Sequence, residues 1–213
     1  MHSWDPEARI KEAIRRQPSP TRRQTFARQA ASLIFVSLLT LTCFIAVGGV
    51  RTGSRAWSLV VATVLGDALI AAVAFSVAAG RGGQMLGRSA FQLHAITIVA
   101  PLAFISWKVL CSDLFHAAPW PARAYRCFAL TLLFACPPLV AIVMARRGLD
   151  PLHPGSLGAA LGIASGLCAG VLVDLWCPSG EIIHLVTGHL LPIVLLAVVG
   201  ASVGQRALGM RGS

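Results

Sequence analysis

Charged residues are scarce in this sequence. Only 12% of its 213 residues are Asp, Glu, Lys or Arg, and only 8 of them are acidic. Soluble domains carry about 25% charged residues, so this composition excludes an ordinary soluble enzyme. Hydrophobic residues make up 56% of the chain instead, and the mean hydropathy is +0.73. These values are typical of a polytopic membrane protein, which buries apolar surface in lipid.

Motifs of catalysis are also missing. The sequence has no nucleophile–base pattern, phosphate-binding loop, metalloprotease signature or C-x-x-C pair. Its formal charge is +10, but the cations do not form a base-reading module. They lie ahead of the first apolar run or between the runs, as topology signals do. We therefore predict a protein that is not an enzyme, has no cofactor and makes no direct contact with nucleic acid.

Six apolar runs are each long enough to cross a bilayer, which takes roughly 20 residues. Because they are continuously apolar, they predict helices rather than alternating β-strands. The predicted fold class is all-α, with six transmembrane helices. The spans are predicted at about 30–50, 56–79, 89–110, 126–145, 156–176 and 187–205. The first run follows a long polar stretch and is too long for the apolar core of a signal peptide, so we expect it to be a span.

The distribution of cations predicts the orientation. With six spans, thirteen of the 18 Lys and Arg residues fall on the side of the termini and five on the other side. The positive-inside rule therefore places both termini in the cytoplasm. The predicted parts are a cytoplasmic segment (1–29), a transmembrane domain (30–205) and a short tail (206–213). Four tryptophans near the outer ends of spans suggest an aromatic belt, namely Trp57, Trp107, Trp120 and Trp176.

The N-terminal segment is the only predicted extramembrane piece long enough to meet a soluble partner. Asp5-Pro6 is a helix-start signal, and Pro18 and Pro20 end the helix. The pattern fits either a charged leader that only fixes topology or a partner-binding helix that orders on binding. The helix would carry a narrow apolar stripe beside basic residues. Its candidate contact residues are Trp4, Ile10, Ala13, Ile14, Arg15 and Arg16.

Two acidic residues fall within predicted spans. Asp67 lies near the middle of the second span, where an ionisable group is a functional candidate by default. It is either a site for protons or ions, or a neutral acid that hydrogen-bonds another helix. We expect no Lys, Arg or His at matching depth, and we expect Asp174, near the outer end of the fifth span, to be reached by water.

Glycines recur every fourth residue in the last two spans. Gly158, Gly162, Gly166 and Gly170 line one face of the fifth, and Gly200 and Gly204 follow the same spacing in the sixth. This spacing predicts close helix packing in preference to a substrate path.

Three of the six cysteines, Cys111, Cys127 and Cys177, map to the outer ends of spans. His116, His184 and His189 lie at the same predicted surface. Thiols and imidazoles together predict either a soft-metal site or a redox pair. Cysteine as a small buried hydrophobe is the alternative.

The C-terminal half resembles the NrsF-type membrane anti-sigma factors of proteobacteria. The stretch from His153 to Leu208 has a glycine-laddered span, a Cys-Pro at its outer end and two His before a Pro-containing span. Arg126-Cys127 at the opening of the fourth span also fits. The resemblance implies an inner-membrane protein that holds an extracytoplasmic-function sigma factor. We expect the cytoplasmic segment around Trp4–Gln17 to bind that sigma factor. The resemblance also implies that Cys127 and Cys177 take part in signal perception, and we add His184 and His189 as possible metal ligands.

Two other functions remain open from the sequence. A small transporter or channel would use Asp67 in its pathway, but no internal repeat is evident. A membrane thiol oxidoreductase would use Cys127 and Cys177, which are 50 residues apart in sequence.

Overall fold

The computed structural model describes residues 22–51, 56–79, 89–115, 124–146, 153–177 and 179–208. The described residues form helices and contain no strand, so the all-α prediction is confirmed. Six long helices follow one another along the chain. They are α1 (Arg22–Ala46), α2 (Trp57–Ala79), α3 (Ala90–Phe115), α4 (Ala124–Ala145), α5 (Pro154–Trp176) and α6 (Ile182–Ala207).

Helices α2 to α6 are each long and apolar enough to cross a membrane. In α1 the described apolar part is shorter and covers Ile34–Ala46. Large apolar side chains on the outside of the bundle are exposed, for example Leu69 on α2 and Val198 on α6. Exposed apolar surface on this scale is typical of contact with lipid. The prediction of a membrane protein is therefore confirmed, and the predicted six helices are all present.

Several helix ends differ from the prediction. Helix α1 ends at Ala46 rather than near residue 50, because Gly48 and Gly49 adopt positive φ angles of 115° and 60°. Such angles terminate a helix and favour glycine. At its other end, α1 begins at Arg22, ahead of the apolar run. Helix α3 continues to Phe115, and α6 begins at Ile182.

Helix α5 is the centre of the bundle and packs against α2, α3, α4 and α6. Its tightest neighbour is α6. A Cβ atom built on Gly158 would overlap the carbonyl oxygen of Gly200, and one on Gly162 would overlap that of Leu196. The predicted close packing of the glycine face is thus confirmed for α6. The face turns along the helix, so that Gly170 meets Phe104 of α3 instead.

The structure describes three of the four tryptophans of the predicted aromatic belt. Trp57 is 66% exposed at the start of α2, but Trp176 is buried and its indole N–H donates to the Val47 carbonyl. The Trp107 indole likewise donates to the Thr63 carbonyl within the bundle. Both indoles thus donate their N–H groups to the backbone of neighbouring segments. Trp120 lies outside the described residues.

A cysteine–histidine cluster beside a buried ion triad

Two cysteines and two histidines converge where α4 and α6 begin and α5 ends. Cys127 lies in the first turn of α4, Cys177 directly follows α5, and His184 and His189 lie near the start of α6. One ligand atom from each residue lies within 4.8 Å of those of the other three. All four side chains are buried, with at most 3% exposure. The residues suggested from sequence as possible metal ligands are therefore neighbours in space. We call them the Cys/His cluster.

A π-helical turn, Leu185–Leu190, explains how both histidines enter the cluster. Residues five apart on an α-helix point about 140° away from each other, but the wider turn brings the His184 and His189 ring centroids to 5.6 Å. Pro192 is the local reason, because its ring would clash with the Gly188 carbonyl in a regular helix. Such turns are rare and are frequent at functional sites. His184 precedes the predicted sixth span (187–205), and the apolar pattern did not predict this turn.

Gly188 lets the π turn approach α4. A Cβ atom at this position would lie 3.1 Å from the Ala124 carbonyl oxygen and 3.2 Å from Cys127 Cβ. Both contacts are tighter than a side chain ordinarily tolerates, so any larger residue would push α6 away from the start of α4. The absence of a side chain here therefore helps to hold the histidines beside Cys127.

Within the cluster, Cys177 is the focus of the hydrogen bonds. Its sulfur lies 3.1 Å from His184 Nε2. The hydrogen bond from the Cys127 thiol lowers the pKa of Cys177 far below its ordinary value, against the effect of burial, and the His184 imidazole lowers it further. The thiolate is the form that binds metals. Neither ring nitrogen of His189 has a hydrogen-bond partner among the described residues.

The cluster has the chemistry of a metal site. Two Cys and two His are a common tetrahedral donor set for Zn²⁺ and related ions. With metal–sulfur bonds of about 2.3 Å and metal–nitrogen bonds of about 2.0 Å, the donors would lie roughly 3.3–3.8 Å apart. The observed limit of 4.8 Å requires only a small contraction. All six cysteines are free thiols, so Cys127 and Cys177 do not form a disulfide here.

The other thiols lie elsewhere. Cys111 is buried on α3 but is not part of the cluster, and Cys136 and Cys168 are exposed on the lipid-facing side of their helices. His116 lies outside the described residues, as do the candidate partner-binding residues of the N-terminal segment. Those are Trp4, Ile10, Ala13, Ile14, Arg15 and Arg16.

A buried ion triad lies next to the cluster. Lys108 Nζ on α3 is 2.8 Å from Asp67 Oδ2 on α2 and 2.6 Å from Asp174 Oδ1 on α5. The three residues are at most 5% exposed. The expectation that Asp67 has no cation at its depth was therefore wrong. So was the expectation that water reaches Asp174.

Lys108 was missed because its predicted span ended at residue 110. A lysine so close to a span end is expected to extend its ammonium to the interface, so the sequence predicts Lys108 to be one of the five cations on the outer side. The continuation of α3 to Phe115 places it deeper in the bundle. The available signal was charge complementarity, because Asp67, Lys108 and Asp174 are opposite charges inside neighbouring apolar runs.

Comparisons with known proteins identify the family of this chain. The family described as "NrsF: Negative regulator of sigma F" matches residues 15–209. The Anti-sigma-F factor NrsF of Caulobacter vibrioides (strain NA1000 / CB15N) is 28% identical over 131 residues, which cover 59% of this chain and 57% of the relative. The matched region thus spans little more than half of that relative's length. No solved structure matches. Because the family match extends over most of the sequence, the chain belongs to the family of negative regulators of sigma F.

Proposed function

We propose that this protein is an anti-sigma factor that holds an extracytoplasmic-function sigma factor at the bacterial inner membrane. The family match over residues 15–209 carries this proposal. The spanning helices supply the membrane anchor. Residues 1–29, with Trp4–Gln17 as the contact segment, supply the binding surface, because the other predicted cytoplasmic pieces are short.

The proposal extends to signal perception at the Cys/His cluster. Four donor atoms that converge within 4.8 Å would bind a soft or borderline metal ion. The second candidate signal is an oxidant that joins Cys127 to Cys177 in a disulfide. Their sulfur atoms lie within 4.8 Å of each other, so the same two thiols could serve either signal. Metal binding is favoured because it uses all four donors, whereas oxidation uses only the sulfurs.

A signal at the cluster would reach the sigma factor through the helices. Drawing Cys127 and Cys177 together shortens the distance between the start of α4 and the end of α5. Helix α5 packs on α6 by direct backbone contact between Gly158 and Gly200. A displacement at one end of α5 would therefore be transmitted along the helix as a rigid body. Its opposite end lies beside the predicted cytoplasmic loop 146–155.

Deletion of residues 2–20 tests the sigma-binding part. We expect the variant to reach wild-type levels in membranes but to lose repression of a sigma-dependent reporter. The matching pull-down from detergent-solubilised membranes should recover a sigma factor with the full chain and not with the deletion variant. Repression that survives the deletion would move the binding surface to loops 80–88 and 146–155.

The two alternative functions gain little from the structure. A transport role for Asp67 requires an accessible carboxylate, but Asp67 is buried at 0% exposure against Lys108. A thiol oxidoreductase must present its cysteines to a substrate, whereas Cys127 and Cys177 are 0% and 1% exposed. The burial of Asp67 is therefore better explained by a structural ion pair with Lys108 than by a transport role.

A further inference from the structure

The last turn of α5 carries both Asp174 and Cys177. The Cys177 N–H donates to the Val173 carbonyl at 2.7 Å, so the cysteine closes this turn. Asp174 is an unfavourable residue here for two reasons. It is buried, and its negative charge adds to the negative end of the helix dipole. A cation is needed beside it if the turn is to stay intact.

Lys108 is that cation, and it is held in place from several sides. Its ammonium lies between Asp174 and Asp67, and it also sits 4.7 Å from the centre of the Phe104 ring. At 2% exposure the lysine is buried. Lys108 therefore ties the end of α5 to α2 and α3 at a fixed position.

The same turn is held on its other side by the segment after α1. The Arg51 N–H donates to the Leu175 carbonyl at 2.8 Å, and the Arg51 guanidinium lies 4.7 Å from the centre of the Trp176 ring. These contacts are made to the Leu175 backbone and the Trp176 ring, and not to the Asp174 carboxylate. Lys108 supplies a positive charge beside that carboxylate, at 2.6 Å from Asp174 Oδ1.

We propose that Lys108 is a positioning residue for the Cys/His cluster. Through Asp174 it fixes the turn that presents Cys177 to Cys127, His184 and His189, and Asp67 keeps the ammonium in place. The inference rests on the metal-binding part of the proposed function and adds a residue to it. Groups that orient metal ligands typically change affinity 10–100-fold when they are removed.

Cadmium binding to the full chain in detergent micelles tests this inference. The readouts are the Cd²⁺ affinity and the thiolate-to-metal charge-transfer absorption. We expect Lys108→Met to weaken Cd²⁺ binding by about tenfold or more. We also expect a weaker thiolate-to-metal charge-transfer absorption than that of the unaltered protein, in which both Cys127 and Cys177 would ligate the metal. Lys108→Arg should restore part of both, because it returns the cation. Arg146→Met is the matched control, since Arg146 also ties two helices by donating to the Ala78 and Ala79 carbonyls, but at the opposite end of the bundle.

A second variant covers the case in which Lys108→Met does not fold. The triple change Asp67→Asn, Lys108→Met and Asp174→Asn removes every charge of the triad, and such neutral replacements are often tolerated. It should fold and still bind Cd²⁺ about tenfold more weakly. Wild-type affinity in this folded variant would overturn the positioning role. Absence of binding in the unaltered protein would instead count against the metal-binding part of the proposed function.

Discussion

His184 and His189 are five residues apart in sequence, yet their ring centroids lie only 5.6 Å apart. The π turn between them brings His189 into the cluster as its fourth member. In a regular α-helix His189 would point away from the other three residues. Pro192 and Gly188 account for the π turn together. One prevents a regular helical turn, and the other leaves room for the wider turn against α4.

Replacement of Pro192 by alanine should weaken the cluster. Without the ring, α6 can relax to a regular α-helix, which turns His189 away from Cys177. We expect the Cd²⁺ affinity of the full chain to fall by about tenfold, as measured by titration in micelles. Pro137→Ala in α4 serves as the control because it removes a helix-interior proline away from the cluster. Equal affinities of the Pro192→Ala and Pro137→Ala variants would show that the proline does not maintain the turn.

Gly158→Val should destabilise the bundle. A side chain at this position overlaps the Gly200 carbonyl, so α5 and α6 must separate. Overpacking of this kind costs about 1–3 kcal/mol, which a lower Tm in detergent would report. Val198→Leu also adds bulk, but on the 59% exposed lipid-facing side of α6, and should leave Tm unchanged. A Gly158→Val variant as stable as the control would mean that the two helices are not held at this contact.

The sequence predicts the helices well because each is a long apolar run with few charges. It predicts close packing at the glycine faces of α5 and α6, because glycine spacing permits close approach of a neighbouring helix. The structure shows that these two helices are each other's partners. The sequence also placed Cys127 and Cys177 at one surface, since both follow from the positions of span ends. The π turn was not predictable from apolar periodicity, because its cause is a single proline one turn further on.

The ion triad escaped prediction for another reason. The depth of Lys108 depends on where α3 ends, and the apolar run stops several residues before the helix does. A boundary shift of this size hardly matters for a leucine, but it decides whether a lysine reaches water or lies between two carboxylates. Pairing of opposite charges across apolar runs is thus a better guide than depth alone.

The orientation of the bundle is open to a direct test. The excess of cations on one side predicts that both termini are cytoplasmic. Alkaline phosphatase fused within residues 116–123, between α3 and α4, should be active, since this segment is predicted to be periplasmic. A fusion after residue 205 should be inactive. The reverse pattern would place the Cys/His cluster at the cytoplasmic end and contradict its proposed role in sensing envelope stress.

Serine substitution of Cys127 or Cys177 should abolish sensing without abolishing repression. Each change removes one of the four donors while the spanning helices and the N-terminal segment stay intact. We expect the sigma-dependent reporter to remain repressed without stress and its induction by Cd²⁺ or by an oxidant to fall by about tenfold or more. Cys136→Ser is the matched control, because Cys136 shares α4 with Cys127 but is exposed on the lipid side. The His189→Ala variant distinguishes metal binding from disulfide formation as the signal. It removes a metal ligand but neither sulfur, so it should reduce the response to Cd²⁺ and leave the response to an oxidant unchanged. Wild-type induction by both agents in the Cys127→Ser, Cys177→Ser double variant would remove the sensing role and leave the anti-sigma proposal in place.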